Sequence, residues 1–219
     1  MPRPSINDIF ITEGASQAVN FMLKTIICEK NDGVMIPIPQ YPLYSASICL
    51  NGGTVVPYYL DEKSGWQLGP EELNYQYAKA EEKGVNMKCI CIINPGNPTG
   101  SVFREDTLQN IIKFAVEKRM VLITDEVYRE NIYKDGIKFI STRAVLEKMN
   151  EKYKNVCELA SVNSVSKGVL GECGLRGGYL YLHNFHENVN LQIYKLKSIP
   201  SCSNTIGQMS VEMMCNPPI

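Results

Sequence analysis

Val121-Leu122-Ile123-Thr124-Asp125-Glu126-Val127-Tyr128 is the stretch that decides the fold of this 219-residue chain. Its first four residues are apolar or β-branched without the alternation of a half-solvated strand, so they predict a strand buried on both faces, as in a parallel sheet covered by helices. Asp125 then stands at the carboxyl end of that strand. Just upstream, Leu108, Ile111, Ile112, Ala115 and Val116 recur at three- and four-residue steps and predict a covering helix over 105–118. Open parallel sheets bind ligands outside the carboxyl ends of their strands. Asp125, and the segment 94–100 that leaves the preceding strand, therefore fall at the functional edge.

Further out, β-rich runs at 33–37, 54–59, 89–93, 121–124, 159–162 and 178–182 alternate with helical patterns near 15–29, 41–50, 70–83, 105–118, 142–153, 187–197 and 203–214. Strands and helices in alternation predict an α/β fold with a largely parallel sheet, in one compact domain. Composition agrees with a globular protein: 44% hydrophobic, 21% charged, 22 basic against 23 acidic side chains. Near-neutral charge argues against a nucleic-acid partner. The longest apolar runs, such as Cys89-Ile90-Cys91-Ile92-Ile93, are far short of the roughly 18 residues that span a bilayer, which argues against a membrane. The start, Met1-Pro2-Arg3-Pro4, lacks the plan of a signal peptide, so the eight scattered cysteines are expected as reduced thiols; the default location is cytoplasmic, with the mitochondrion as the alternative for a full-length parent. His183 and His186 have no partners at ligand spacing; they are read as solvated loop residues, and no metal is expected.

Four segments carry chemistry. Gly14-Ala15-Ser16 opens a helix whose free amides and positive dipole end can hold an anion, although alone it is better read as an ordinary helix start. In Asn94-Pro95-Gly96-Asn97-Pro98-Thr99-Gly100, two prolines and two glycines fix a tight path that can aim the Asn97 amide inward. Asp125 and Tyr128 lie at the end of a buried strand, where a carboxylate needs a cationic or hydrogen-bonding partner. Ser161-Val162-Asn163-Ser164-Val165-Ser166-Lys167-Gly168 holds a lysine followed by Gly171, Gly174, Gly177 and Gly178, with Arg176 among them as a phosphate-binding cation. A lysine's ordinary place is a solvated surface. These surroundings instead suggest one that binds an aldehyde cofactor.

In this order the motifs resemble the fold type I aminotransferases, and three longer stretches are similar to the alanine aminotransferase group: Pro37-Ile38-Pro39-Gln40-Tyr41-Pro42-Leu43-Tyr44-Ser45, Asp125-Glu126-Val127-Tyr128-Arg129-Glu130-Asn131, and the glycine loop from Gly168 to Tyr179. The resemblance covers essentially the whole chain. It implies a three-layer α/β/α sandwich with a mostly parallel mixed sheet, and pyridoxal 5'-phosphate as cofactor. Lys167 would bind the cofactor's aldehyde covalently and move the substrate's α-proton; Asp125 would hold the pyridine nitrogen protonated; Asn97 and Tyr128 would hydrogen-bond the phenolate oxygen. Tyr41 would stack on the ring, and Ala15, Ser16, Ser164, Ser166 and Arg176 would cradle the phosphate.

The reaction implied is ping-pong transfer of an amino group from L-alanine to 2-oxoglutarate, in a homodimer whose small-molecule partners are amino acids and 2-oxo acids. Residues 1–219 would be the cofactor-binding large domain, without the N-terminal arm and the C-terminal small domain that supplies the arginine for the substrate carboxylate, so alanine turnover is expected to be impaired. The cofactor residues do not choose the substrate. Another aminotransferase or a carbon–sulfur lyase of the same fold, acting on kynurenine or aromatic substrates, is an alternative, as is a non-catalytic assembly fragment.

Overall fold

The computed structural model describes residues 4–217; Met1-Pro2-Arg3, read above for a signal peptide, lie outside the described residues, as do Pro218 and Ile219. Seven strands form one sheet: β1 (Ile9–Thr12), β2 (Asp32–Ile38), β3 (Thr54–Tyr59), β4 (Asn86–Ile93), β5 (Val121–Asp125), β6 (Leu159–Ser164) and β7 (Gly178–His183). Their order is β1-β7-β6-β5-β4-β2-β3. The five strands from β6 to β3 run parallel, while β7 is antiparallel to both β6 and β1. The helices are α1 (Ala15–Ile26), α2 (Leu43–Leu50), α3 (Pro70–Glu81), α4 (Glu105–Glu117), α5 (Thr142–Lys148), α6 (Glu151–Lys154), α7 (Glu187–Ser198) and α8 (Thr205–Cys215).

Strand alternation divides the core into two faces. Ile90 and Ile92 of β4, with Leu122 of β5 and Leu159 of β6, pack against Leu108, Ile111, Ile112 and Ala115 of α4 and against Val145 and Leu146 of α5. Cys89 and Cys91, with Ile123 and Val162, face the other way onto Ala18, Met22 and Leu23 of α1, Tyr44 and Ile48 of α2, and Ile193 of α7. Each leucine, isoleucine, valine or methionine side chain among these contributes roughly 1.5–3 kcal/mol when taken out of water. The result is the expected three-layer α/β/α sandwich.

Several sequence expectations are corrected. The pattern 33–37 to 178–182 held six strands; the seventh, β1, is only four residues long and exists through pairing with β7, from Ile9↔Tyr181 to Thr12↔Gly178, which no local signal encodes. The helix expected over 15–29 stops at Ile26, because the buried Asp32 carboxylate accepts the Cys28 and Glu29 amides at 2.8 and 2.9 Å. The helix expected over 142–153 is two: Met149 is extended, and the Asn150 side chain accepts the Lys152 amide at 3.0 Å and starts α6. His183 is not a solvated loop residue. It ends β7, half-buried, with its Nδ1 3.1 Å from the Tyr181 hydroxyl; burial lowers its basicity. His186 caps α7, its Nδ1 accepting the Asn188 amide.

Candidate active site

Register brings the four chemical segments together. Thr12 at the end of β1, Gly178 at the start of β7 and Ser164 at the end of β6 lie abreast, and Ile93 of β4 sits beside Asp125 of β5. The loops leaving β1, β4, β5 and β6 thus open on one edge of the sheet, the carboxyl edge of its parallel strands. A cleft of about 150 Å³ lies there, and all ten candidate residues line it: Ala15, Ser16, Tyr41, Asn97, Asp125, Tyr128, Ser164, Ser166, Lys167 and Arg176.

One end of the cleft gathers the donors that an anion would need. Gly14 precedes α1 and has no side chain to cap its first-turn amides. Its φ of +83° is in the region that favours glycine, and a Cβ there would lie 2.4 Å from Arg176 Nη2. Arg176 itself adopts a left-handed backbone, and its guanidinium donates to the Glu13 carbonyl at 2.7 Å, the Cys173 carbonyl at 2.8 Å, Ser166 Oγ at 3.2 Å and Ser16 Oγ at 3.4 Å. The Ser164 hydroxyl lies 2.9 Å from Ser166 Oγ and accepts the Ser166 amide at 3.0 Å. One cation and three hydroxyls therefore converge on the start of α1.

The floor is a carboxylate. Asp125 is 6% exposed; burial pushes its carboxyl up, while the Tyr44 hydroxyl at 2.7 Å and the Val127 amide at 3.2 Å, both donating to it, pull it down. Beside it, Asn97 Nδ2 donates to the Tyr128 hydroxyl at 3.3 Å, so the turn after β4 and the turn after β5 meet at one polar point. The path of the first turn is set by the Gly96 and Gly100 amides, bonded to the Ser101 and Gly96 carbonyls, and by Asn94 Oδ1 accepting the Phe103 amide.

Lys167 is exposed, and its Nζ stands 5.6 Å from the centre of the Tyr128 ring. The adjoining Gly168 amide donates to Asn131 Oδ1 at 2.9 Å, which ties the lysine loop to the turn carrying Tyr128. Tyr41 is half-exposed at the mouth.

Sequence reasoning missed two contributors, Tyr44 and Asn131, and the burial of Glu126 beside Asp125. Tyr44 and Asn131 stand in stretches quoted above, but their partners lie 81 and 37 residues away, and no spacing signals either bond. Glu126 is buried and accepts the Thr142 amide at 2.8 Å and the Thr124 hydroxyl at 3.3 Å; burial pushes its carboxyl up to about 7. The adjacency of Asp125 and Glu126 was its only sequence signal.

A family model described as Aminotransferase class I and II matches residues 6–219. Among curated proteins, the chain is 48% identical over 212 residues to "Alanine aminotransferase 1, mitochondrial" of Arabidopsis thaliana, covering 97% of this chain and 39% of that protein. It is likewise 48% identical to "Alanine aminotransferase 2" of Panicum miliaceum, covering 97% of this chain and 44% of that protein. Among solved structures, an alanine aminotransferase from Pyrococcus furiosus superposes with a TM-score of 0.80 at 25% identity, covering 97% of this chain and 50% of that one. The chain thus spans about two fifths of the length of the curated relatives it matches. The sheet edge where Lys167, Asp125 and Arg176 meet, together with a family match over nearly every residue, shows that the chain belongs to the class I and II aminotransferases.

Proposed function

We propose that residues 1–219 form the cofactor-binding large domain of a pyridoxal-phosphate-dependent aminotransferase that exchanges the amino group between L-alanine and 2-oxoglutarate. The observation that carries this reading is the convergence, in one cleft, of an anion end, a lysine amine, a buried carboxylate and an amide–phenol pair. Pyridoxal 5'-phosphate is the cofactor of this family, which acts on amino acids and 2-oxo acids. The cleft fits it: the Gly14–Arg176 approach leaves no room for a Cβ, while the uncapped start of α1 and the guanidinium offer the donors a phosphate requires.

Bound there, the cofactor supplies an aldehyde that takes up the substrate's amino group and a ring that accepts the electrons released at the α-carbon. The chain's own residues do the rest. Ala15, Ser16, Ser164, Ser166 and Arg176 hold the phosphate and so fix the cofactor's position. Asp125 would offer the charge that keeps a proton on the ring nitrogen, Asn97 and Tyr128 would bond the phenolate oxygen, and Tyr41 would stack on the ring face. The Lys167 amine is the group that would hold the aldehyde and could move a proton at the substrate's α-carbon.

Arg176 is committed to the anion end, and the described lining of the cleft holds no second arginine for a substrate carboxylate. Turnover of alanine by residues 1–219 is therefore expected to be weak beside attachment of the cofactor. The relatives named alanine aminotransferase support alanine as donor; a relative of 45% identity is named "Glutamate--glyoxylate aminotransferase 1", so glyoxylate is the acceptor to compare with 2-oxoglutarate. A homodimer and a cytoplasmic address complete the proposal. Sedimentation and cell fractionation decide them, with the mitochondrion as the rival compartment printed in several relatives' names. Among the described residues no helix is long and apolar enough to cross a membrane.

The test is to incubate the chain with pyridoxal phosphate, reduce with borohydride, and map the adduct by peptide mass spectrometry. An adduct on Lys167 alone is expected; label spread over many lysines would sink the reading. Adding L-alanine before reduction should then lower the yield of adduct, and 2-oxoglutarate should restore it.

A further inference from the structure

Tyr44 is the second residue of α2 and is 0% exposed, packed among the apolar side chains between α1, α2 and the sheet. A phenylalanine would fill that space without a hydroxyl to satisfy, and a buried phenol is costly unless bonded. Its hydroxyl donates to Asp125 Oδ2 at 2.7 Å, the shorter of the two bonds the carboxylate accepts.

We propose that Tyr44 is a positioning residue: its hydroxyl fixes the orientation of the Asp125 carboxylate and keeps it charged, so that a proton shared with the cofactor's ring nitrogen stays on the nitrogen. This rests on the reading of the cleft as a pyridoxal-phosphate site. The physical reason is that donation from a phenol withdraws electron density from the carboxylate and lowers its basicity, offsetting burial, which favours the protonated acid. Without Tyr44, Asp125 would compete better for the proton, and the ring would be a poorer electron acceptor.

The other titratable groups around the pair do not replace this bond. Cys91 on β4 is buried, which pushes its thiol up. The Tyr58 hydroxyl on β3 is spent on the Cys91 carbonyl at 2.8 Å. Lys167, Tyr128 and Arg176 line the cleft from its loop side.

The experiment is a carbon-13 NMR titration of the Asp125 carboxyl in the purified chain without cofactor, comparing wild type with Tyr44→Phe, folding being checked by near-UV circular dichroism. The midpoint is expected to move up in Tyr44→Phe; an unmoved midpoint in a folded variant overturns the proposal. Should Tyr44→Phe not fold, Tyr44→3-fluorotyrosine keeps the shape and donates more strongly, and must move the midpoint down; no movement again overturns it. With ring-nitrogen-labelled pyridoxal phosphate, Tyr44→Phe should bind more weakly, because the bond is stronger to a carboxylate held charged beside a pyridinium than to the same carboxylate in the empty cleft, and its nitrogen-15 signal should move from the pyridinium towards the neutral pyridine position. Failure of the wild-type chain to bind the cofactor would instead overturn the reading of the cleft and the ring-nitrogen half of the proposal, while the titration still judges the Tyr44–Asp125 bond.

Discussion

Lys167 differs from the other lysines of the chain in its surroundings. It lines a cleft with an anion end and stands over the Tyr128 ring. Replacing it, in Lys167→Ala, should abolish borohydride-trapped cofactor while leaving the circular dichroism spectrum unchanged, since its side chain is exposed and fills no core space. Glu126 makes the opposite kind of prediction. Its carboxyl holds a proton up to about pH 7 in the folded chain against an ordinary value of 4.5, so between those values the folded state binds more protons than the unfolded one and stability falls as pH rises. The loss is complete above pH 7 and is on the order of 3 kcal/mol. Glu126→Gln keeps an oxygen for the Thr142 amide and removes the titration, so thermal melts at pH 5 and pH 8 should differ less in the variant than in the wild type. Lys167 was legible from its glycine-rich neighbourhood. The environment of Glu126 was not, because it depends on α5, which begins sixteen residues later.

At the scale of elements, the start of α1 is the sensitive junction. Gly14→Ala would put a Cβ 2.4 Å from Arg176 Nη2 on a backbone at φ +83°, so it should strain the turn by roughly 1–3 kcal/mol and displace the guanidinium. Inorganic phosphate should then protect the variant less against heat than it protects the wild type. Equal protection would mean that Arg176 does not serve the anion end. Leu122 of β5 is wholly buried between the sheet and α4, and Leu122→Ala should cost about 2–5 kcal/mol in a urea unfolding experiment. Periodicity foretold α4 and β5 nearly to the residue. It overran the ends of α1 and α5, where single side-chain caps at Asp32 and Asn150 redirect the chain, and such caps do not disturb the spacing of apolar residues.

At the scale of the whole molecule, the cleft joins parts that are distant in sequence: β1 and α1 at one edge, the turns after β4 and β5, and the loop between β6 and β7. A ligand held by all of them should stabilise the fold as a unit. At a hundredfold excess over its dissociation constant, the gain is about 2.7 kcal/mol, or roughly 5–10 °C in melting temperature for a domain of this size. Differential scanning calorimetry with and without pyridoxal phosphate measures it, and an unchanged melting point would count against a cleft assembled from these elements. The order of apolar runs and helical stripes by itself determined an α/β chain with a parallel sheet, because alternating burial is written in neighbouring residues. The short motifs likewise marked Lys167, Asp125, Asn97 and Arg176 as candidates, and the fold brings them to one cleft. Only the tertiary structure decided that β1 pairs with β7, that Tyr44 bonds Asp125 and that Asn131 holds the lysine loop. Those contacts join residues distant in sequence, and hydrogen bonds between such residues leave no periodic trace along the chain.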